Sequence, residues 1–305
     1  MKYFSTRNSN EKVSASWAIS HGLAPDGGLY VPESLPQFSL DDIINLGKSD
    51  YRGRAFGIIK PFLDEFTEDE LKAMILRAYG DNFDSADTAP VHFLDEKTAV
   101  LELWHGPTCA FKDMALQMLP HLLTASLKKC GERRKVCILV ATSGDTGKAA
   151  LEGFADVENT KILVFYPHNG VSDVQQLQMV TQTGDNVGVA AVRGNFDDAQ
   201  TGVKQIFGDA AFAEQLSAKG WFLSSANSIN WGRLLPQIVY YFSAYCDYAN
   251  SGRVNYGDAV DFVVPTGNFG NILACWYAKN MGLPVGKLIC CLLYTSPSPR
   301  DLSTS

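Results

Sequence analysis

Residues 135–155, "KVCILVATSGDTGKAALEGFA", decide the fold. Lys135–Ala141 is a continuous run of strand length with no alternation, as in a strand covered on both faces. "TSGDTG" (142–147) breaks it, and "KAALEGFA" (148–155) reads as a helix. Downstream the same order returns. "KILVFYP" (161–167) is a strand, and "VSDVQQLQMVTQTG" (171–184) a helix with Gly184 as its stop. "NVGVAAVRG" (186–194) is a strand and "FDDAQTGVKQIFG" (196–208) a helix. "DAVDFVVPTGNFGNILACWYAKNMG" (258–282) closes the series with a strand, a glycine-bearing turn and a helix. Such alternation specifies an α/β fold in which helices cover a parallel sheet.

Residues 1–90 have a different texture, that of a mostly helical domain. In "FTEDELKAMILRAYG" (66–80), Thr67 and Glu70 form a capping box, Leu71, Met74, Ile75 and Ala78 make one apolar face, and Gly80 ends the helix. "SLDDIINLG" (39–47) is a shorter helix with Ser39 at its N-cap, and "HGLAPDGGLYVP" (21–32) reads locally as a surface loop. The expected division is 1–90 as an N-terminal domain, 91–290 as an incomplete α/β domain, and 291–305 as a tail. "LLYTSPSPRDLSTS" (292–305) has no period, and the strand at "KLIC" (287–290) runs into it without the helix the alternation calls for. The expectation is a chain truncated near Cys290, followed by a non-native or disordered segment.

The chain has 305 residues, 46% hydrophobic and 19% charged, which is enough for a large core in two domains. A net charge of −7 argues against a nucleic-acid partner, and no apolar run reaches membrane-spanning length. Seven scattered cysteines and five dispersed histidines show no metal-ligand spacing, so no metal site and a reducing, cytoplasmic setting are expected.

Two strand–turn–helix junctions, 142–147 and 266–271, bring backbone N–H groups to helix N-termini, where phosphate or carboxylate binds. Neither fits a P-loop or a dinucleotide fingerprint. Upstream, "HGPTCAFKDMALQ" (105–117) sets Lys112 between Phe111 and Asp113, just before "MALQMLPHLLTASLKK" (114–129), which reads as one helix. Positive potential at a helix start and burial beside Phe111 both disfavour an ammonium ion, as a Schiff-base lysine requires. A solvated lysine at a helix start is the other local reading.

Together "HGPTCAFKDMALQ", "SGDTGKAA", "PTGNFGN" and "GLAPDGGLYVP" resemble the threonine synthase family in its long bacterial and fungal form. That family belongs to the pyridoxal-phosphate enzymes with the fold of the tryptophan synthase β-subunit, and the similarity runs from Tyr3 to about Cys290. The resemblance implies that Lys112 binds pyridoxal 5'-phosphate covalently and moves protons. It also implies that Gly267, Asn268, Phe269 and Asn271 hold the cofactor phosphate, and that Thr142, Ser143, Asp145 and Thr146 receive a substrate carboxylate. "SSANSINWGRLLPQ" (224–237) is similar to a substrate-facing segment, so Asn227, Ser228, Asn230 and Arg233 are candidates there; Arg233 reads equally as a structural ion-pair residue.

The implied activity converts O-phospho-L-homoserine and water to L-threonine and phosphate by β,γ-replacement, in a monomer or homodimer. The segment that supplies the family's hydroxyl to the pyridine nitrogen is missing from the 305 residues, so the chain as written is expected to be inactive. Two other readings stay open: a threonine or serine dehydratase of the same cofactor family, and a non-catalytic α/β protein that binds a phosphorylated metabolite.

Overall fold

The computed structural model describes residues 1–292; residues 293–305, most of the expected tail, lie outside them. The N-terminal region holds β1 (Tyr3–Ser5), β2 (Asn8–Val13), α1 (Ala15–His21), β3 (Tyr30–Pro32), α2 (Leu40–Gly47), α3 (Tyr51–Ile59) and α4 (Glu68–Ala78). Helices dominate, as the sequence suggests, and the capping boxes of α2 (Ser39 with Asp42) and α4 (Thr67 with Glu70) are both formed. The antiparallel sheet β2-β1-β3 was not legible. Its outer strand is "NSNEKV", exposed at its centre, so backbone pairing rather than an apolar face holds it.

A hairpin of β4 (Val91–Phe93) and β5 (Ala99–Leu101) follows, then α5 (Asp113–Leu116) and α6 (Leu119–Lys129). The single helix expected from Met114 is therefore broken. Pro120 has no N–H to donate to the Leu116 carbonyl, and its ring would clash with that carbonyl in a continuous helix.

The α/β region contains β6 (Lys135–Ala141), α7 (Asp145–Phe154), β7 (Thr160–Pro167), α8 (Asp173–Val180), β8 (Val187–Val192), α9 (Phe196–Gly208), α10 (Ala210–Ala218) and β9 (Trp221–Ser225). The strands form one parallel sheet in the order β8-β7-β6-β9. β6 is central, which is why its sequence is apolar from Val136 to Ala141. α8 ends at Val180, short of Gly184, with Thr181 as its C-cap and the Thr181 hydroxyl donating to the Leu177 carbonyl at 2.7 Å.

α11 (Trp231–Asn250), β10 (Val260–Pro265), α12 (Gly270–Asn280) and β11 (Val285–Cys291) complete the described chain. β10 and β11 pair with each other in a second parallel sheet, rather than extending the first. The reason lies in α11. Every residue from Trp231 to Cys246 is buried, so this helix is a core element and not a cover on one sheet face. It packs against α2, α3, α5 and α12 and carries the chain away from β9 before β10 begins.

α3 is tied to α11 by Arg54, whose Nη1 donates to Asp247 Oδ1 at 2.6 Å and Ser243 Oγ at 2.8 Å. The Arg54 side chain is 7% exposed, so Asp247→Ala strands a buried cation. Because Asp247 itself is partly solvated, we expect a loss of about 2 kcal/mol, below the full cost of breaking a buried pair. Urea unfolding of the variant measures it, and Arg54→Met with Asp247→Leu should recover most of the loss.

Candidate active site

Both glycine-bearing turns sit at carboxyl ends of parallel strands, where α/β ligands bind. After β6, the Thr142 hydroxyl accepts hydrogen bonds from the N–H groups of Gly144 (3.0 Å) and Gly147 (2.9 Å) and so locks the turn into α7. Gly144 has φ +148°, and a Cβ there would lie 2.4 Å from Gln175 Nε2. This position needs glycine on both counts. Gly267, after β10, has no such backbone requirement. Its Cβ would meet no protein atom within 4 Å, and the residue borders the cavity described below. Glycine there leaves room for a ligand.

Lys112 lies across from these turns. Its Nζ is 3.2 Å from Asp145 Oδ2 and 4.3 Å from the Phe111 ring centroid, with 20% of the side chain exposed. Burial pulls the Lys112 pKa below the ordinary lysine range, and the Asp145 carboxylate offsets only part of that. The helix-start potential anticipated from sequence contributes little, because α5 spans only four residues. Asp145 is pushed upward by burial, but Lys112 and an amide hydrogen bond from Gln175 Nε2 (2.7 Å) more than compensate and hold it below the usual carboxylate range. Asp113 is fully buried and accepts from Thr108 N (2.9 Å) and Thr108 Oγ1 (2.7 Å), which closes the loop that presents Lys112.

A cavity of about 180 Å³ joins the parts, lined by Phe111, Lys112, Ser143, Thr146, Ser228, Arg233, Gln237, Pro265, Gly267, Asn268 and Asn271. A cleft of about 420 Å³ between the β4–β5 hairpin, α11 and β10 is larger but mostly apolar, and brings no reactive group to a convergent set.

Arg233 is 2% exposed. Its Nη1 donates to the Ala226 carbonyl at 2.7 Å, its Nε has no partner, and no carboxylate lies within ion-pair distance among the described residues. Burial depresses its pKa to about 10. The structural ion pair that the sequence left open is not formed. A buried guanidinium that lines a cavity without a carboxylate partner is equipped to receive an anion.

The other candidates divide. Ser143, Thr146 and Ser228 line the cavity. Asn230 instead caps α11 and ties it to the N-terminal region, donating to the Ile19 carbonyl at 3.0 Å and accepting from Gly232 N at 2.8 Å. Asn227 Nδ2 reaches the Ala141 carbonyl at 3.4 Å. Phe269 is the N-cap residue of α12 and is 62% exposed. The Asn271 side-chain oxygen accepts from both Tyr240 and Tyr241, the latter at 2.7 Å. Sequence reasoning missed these tyrosines and Gln237; their signal was helical spacing from Arg233, which puts 233, 237 and 240 on one face.

A lysine held below its ordinary pKa range, two turns offering helix N-termini and a buried arginine without a carboxylate partner give this α/β protein a cavity suited to a small anionic ligand beside an amine. A family model described as "Threonine synthase N terminus" matches residues 2–79. Threonine synthase of Pseudomonas aeruginosa is 46% identical over 290 residues, covering 95% of this chain and 59% of that protein. The crystal structure of threonine synthase from Escherichia coli superposes with a TM-score of 0.84 at 37% identity, covering 100% of this chain and 67% of that one. A pyridoxal-phosphate-bound threonine synthase from Brucella melitensis gives a TM-score of 0.84 at 43% identity, covering 95% of this chain and 60% of that one. The chain belongs to the threonine synthase family. It spans about 60% of the length of such relatives.

Proposed function

We propose that this chain carries the pyridoxal-phosphate site of a threonine synthase, which converts O-phospho-L-homoserine and water to L-threonine and phosphate. The observation that carries the reading is the placement of the depressed Lys112 amine and the unpaired Arg233 guanidinium on one cavity. The residues suit the cofactor. The open space over Gly267 admits a phosphate to the N-terminus of α12, and the Arg233 guanidinium on the same cavity offers a site for a second anion.

When bound, pyridoxal phosphate supplies an aldehyde that condenses with an amine and a ring that draws electrons from the α-carbon. Lys112 Nζ would be the amine that holds the cofactor and, when free, the base that accepts the α-proton. The backbone of Gly267 and Asn268 and the side chain of Asn271, held by Tyr240 and Tyr241, cradle the cofactor phosphate, and Phe269 contributes through its backbone. Ser143 and Thr146 hydrogen-bond the substrate α-carboxylate, with Thr142 fixing their turn and Asp145 facing Lys112. Arg233 and Ser228 hold the substrate γ-phosphate, with Asn227 and Asn230 supporting their segment. The division proposed is a domain over 1–90 and the cofactor-binding domain over 91–290.

The match of residues 2–79 to a model of the threonine synthase N terminus favours this reading over a dehydratase. Incubation with pyridoxal phosphate and either O-phosphohomoserine or threonine tests it. In a full-length protein carrying these residues, phosphate release from the first without ammonia release from the second is expected; ammonia from threonine alone would overturn it.

A further inference from the structure

The Lys112 counterion is itself held from a distant helix. Asp145 Oδ2 faces Lys112 Nζ, while Asp145 Oδ1 accepts from Gln175 Nε2 at 2.7 Å. Gln175 belongs to the first turn of α8, and its other amide atom, Oε1, accepts from Ser172 N at 3.2 Å to close a capping box. One amide thus caps α8 and orients the carboxylate beside the lysine. The approach depends on Gly144, since any Cβ there would collide with the Gln175 amide. A helix cap needs no partner 30 residues away, so the second hydrogen bond calls for its own explanation.

We infer that Gln175 is a positioning residue that fixes Asp145 on Lys112 Nζ and thereby sets how readily the amine becomes neutral. The inference rests on the reading of Lys112 as the reactive amine. The other charged groups facing Lys112 are Arg233 from α11, which favours the neutral amine, and Asp113 from its own segment, which opposes it. With those two and burial fixed by the core, Asp145 is the adjustable contribution, and its geometry is set by Gln175.

Two substitutions separate this role from capping. Gln175→Glu keeps the cap acceptor, since Glu and Gln serve equally in a capping box. It places a carboxylate oxygen where an amide donor faced Asp145, so negative charge accumulates beside Lys112. Gln175→Met removes the donor, frees Asp145 to turn away, and leaves the buried ammonium less supported. Reductive dimethylation of the cofactor-free chain with formaldehyde and cyanoborohydride, followed across pH and quantified on the Lys112 peptide, reads the neutral amine directly.

At a fixed mildly alkaline pH, labelling of Lys112 should fall about tenfold in Gln175→Glu, as an added neighbouring anion requires, and rise in Gln175→Met. Ser172→Ala, which weakens the cap alone, should keep the parent profile. Opposite shifts in the two variants cannot come from a general loss of structure. Parent-like profiles in both variants would overturn the inference, as would an equal shift in Ser172→Ala. Failure of the wider reading looks different: pyridoxal phosphate reduced onto the protein would then map to another lysine, whatever the dimethylation profiles show.

Discussion

Lys112→Ala should leave a folded protein that has lost its reducible pyridoxal-phosphate adduct and, in an active enzyme, about a thousandfold or more in turnover. The size follows from the two roles proposed for Lys112, cofactor anchor and base for the α-proton; general-base catalysis alone is worth roughly a hundred- to ten-thousandfold. The fold should tolerate the change. Lys112 makes its single side-chain hydrogen bond to Asp145, and Asp113, not Lys112, closes the Gly106–Asp113 loop through Thr108. Visible absorbance after cofactor addition and the far-ultraviolet spectrum measure the two halves. A variant that keeps the absorbance and the activity would contradict the assignment.

The second large effect is at Arg233. Arg233→Met should weaken binding of inorganic phosphate in the cavity, and raise KM for the phosphorylated substrate, by about a hundredfold; this is the loss expected when a desolvated charge-assisted contact goes. The same variant should melt no lower than the parent. A guanidinium that is 2% exposed, with no carboxylate at ion-pair distance among the described residues, pays for its desolvation without a compensating ion pair, so a methionine of similar length relieves that cost. The Ala226 carbonyl loses its donor, which limits the gain. A structural arginine gives the reverse pattern: a lowered melting temperature with phosphate binding intact. Thermal melts and phosphate titration on one preparation separate the two.

What was legible in the sequence follows from how each element is held. β6 could be bounded to the residue, because a strand covered on both faces is apolar along its length, here from Val136 to Ala141 after the exposed Lys135, and the Thr-Ser-Gly turn stops it. α4 was equally clear, since its cap and its apolar face are local features. β2 was invisible: six mostly polar residues pair through their backbone and bury little. The break between α5 and α6 was in plain view at Pro120, but the apolar period continues across it and hid it. The separation of the two parallel sheets depends on α11 being a core helix, and a repeating strand–helix alternation does not distinguish core helices from covering ones.

The site shows the same division. Lys112 and the two turns were visible as residues, because glycines, prolines and a lysine in an apolar setting are local signals; Arg233 came into view only through the family resemblance of its segment. Which side chains face the cavity was not. Thr142 spends its hydroxyl on its own turn and Asn230 spends its amide on α1 and α11, whereas Gln237 lines the cavity unannounced. Gln175 reaches Asp145 across the gap between α7 and α8, a contact that exists only once β6 and β7 have paired.

Reductive trapping tests the central claim most directly. The protein is equilibrated with pyridoxal phosphate, reduced with borohydride and digested, and the labelled peptide is sequenced by mass spectrometry. The account predicts one equivalent of phosphopyridoxyl group on the peptide that contains Phe111, Lys112 and Asp113. Label spread over surface lysines, or concentrated on a lysine outside the cavity such as Lys148, would contradict it.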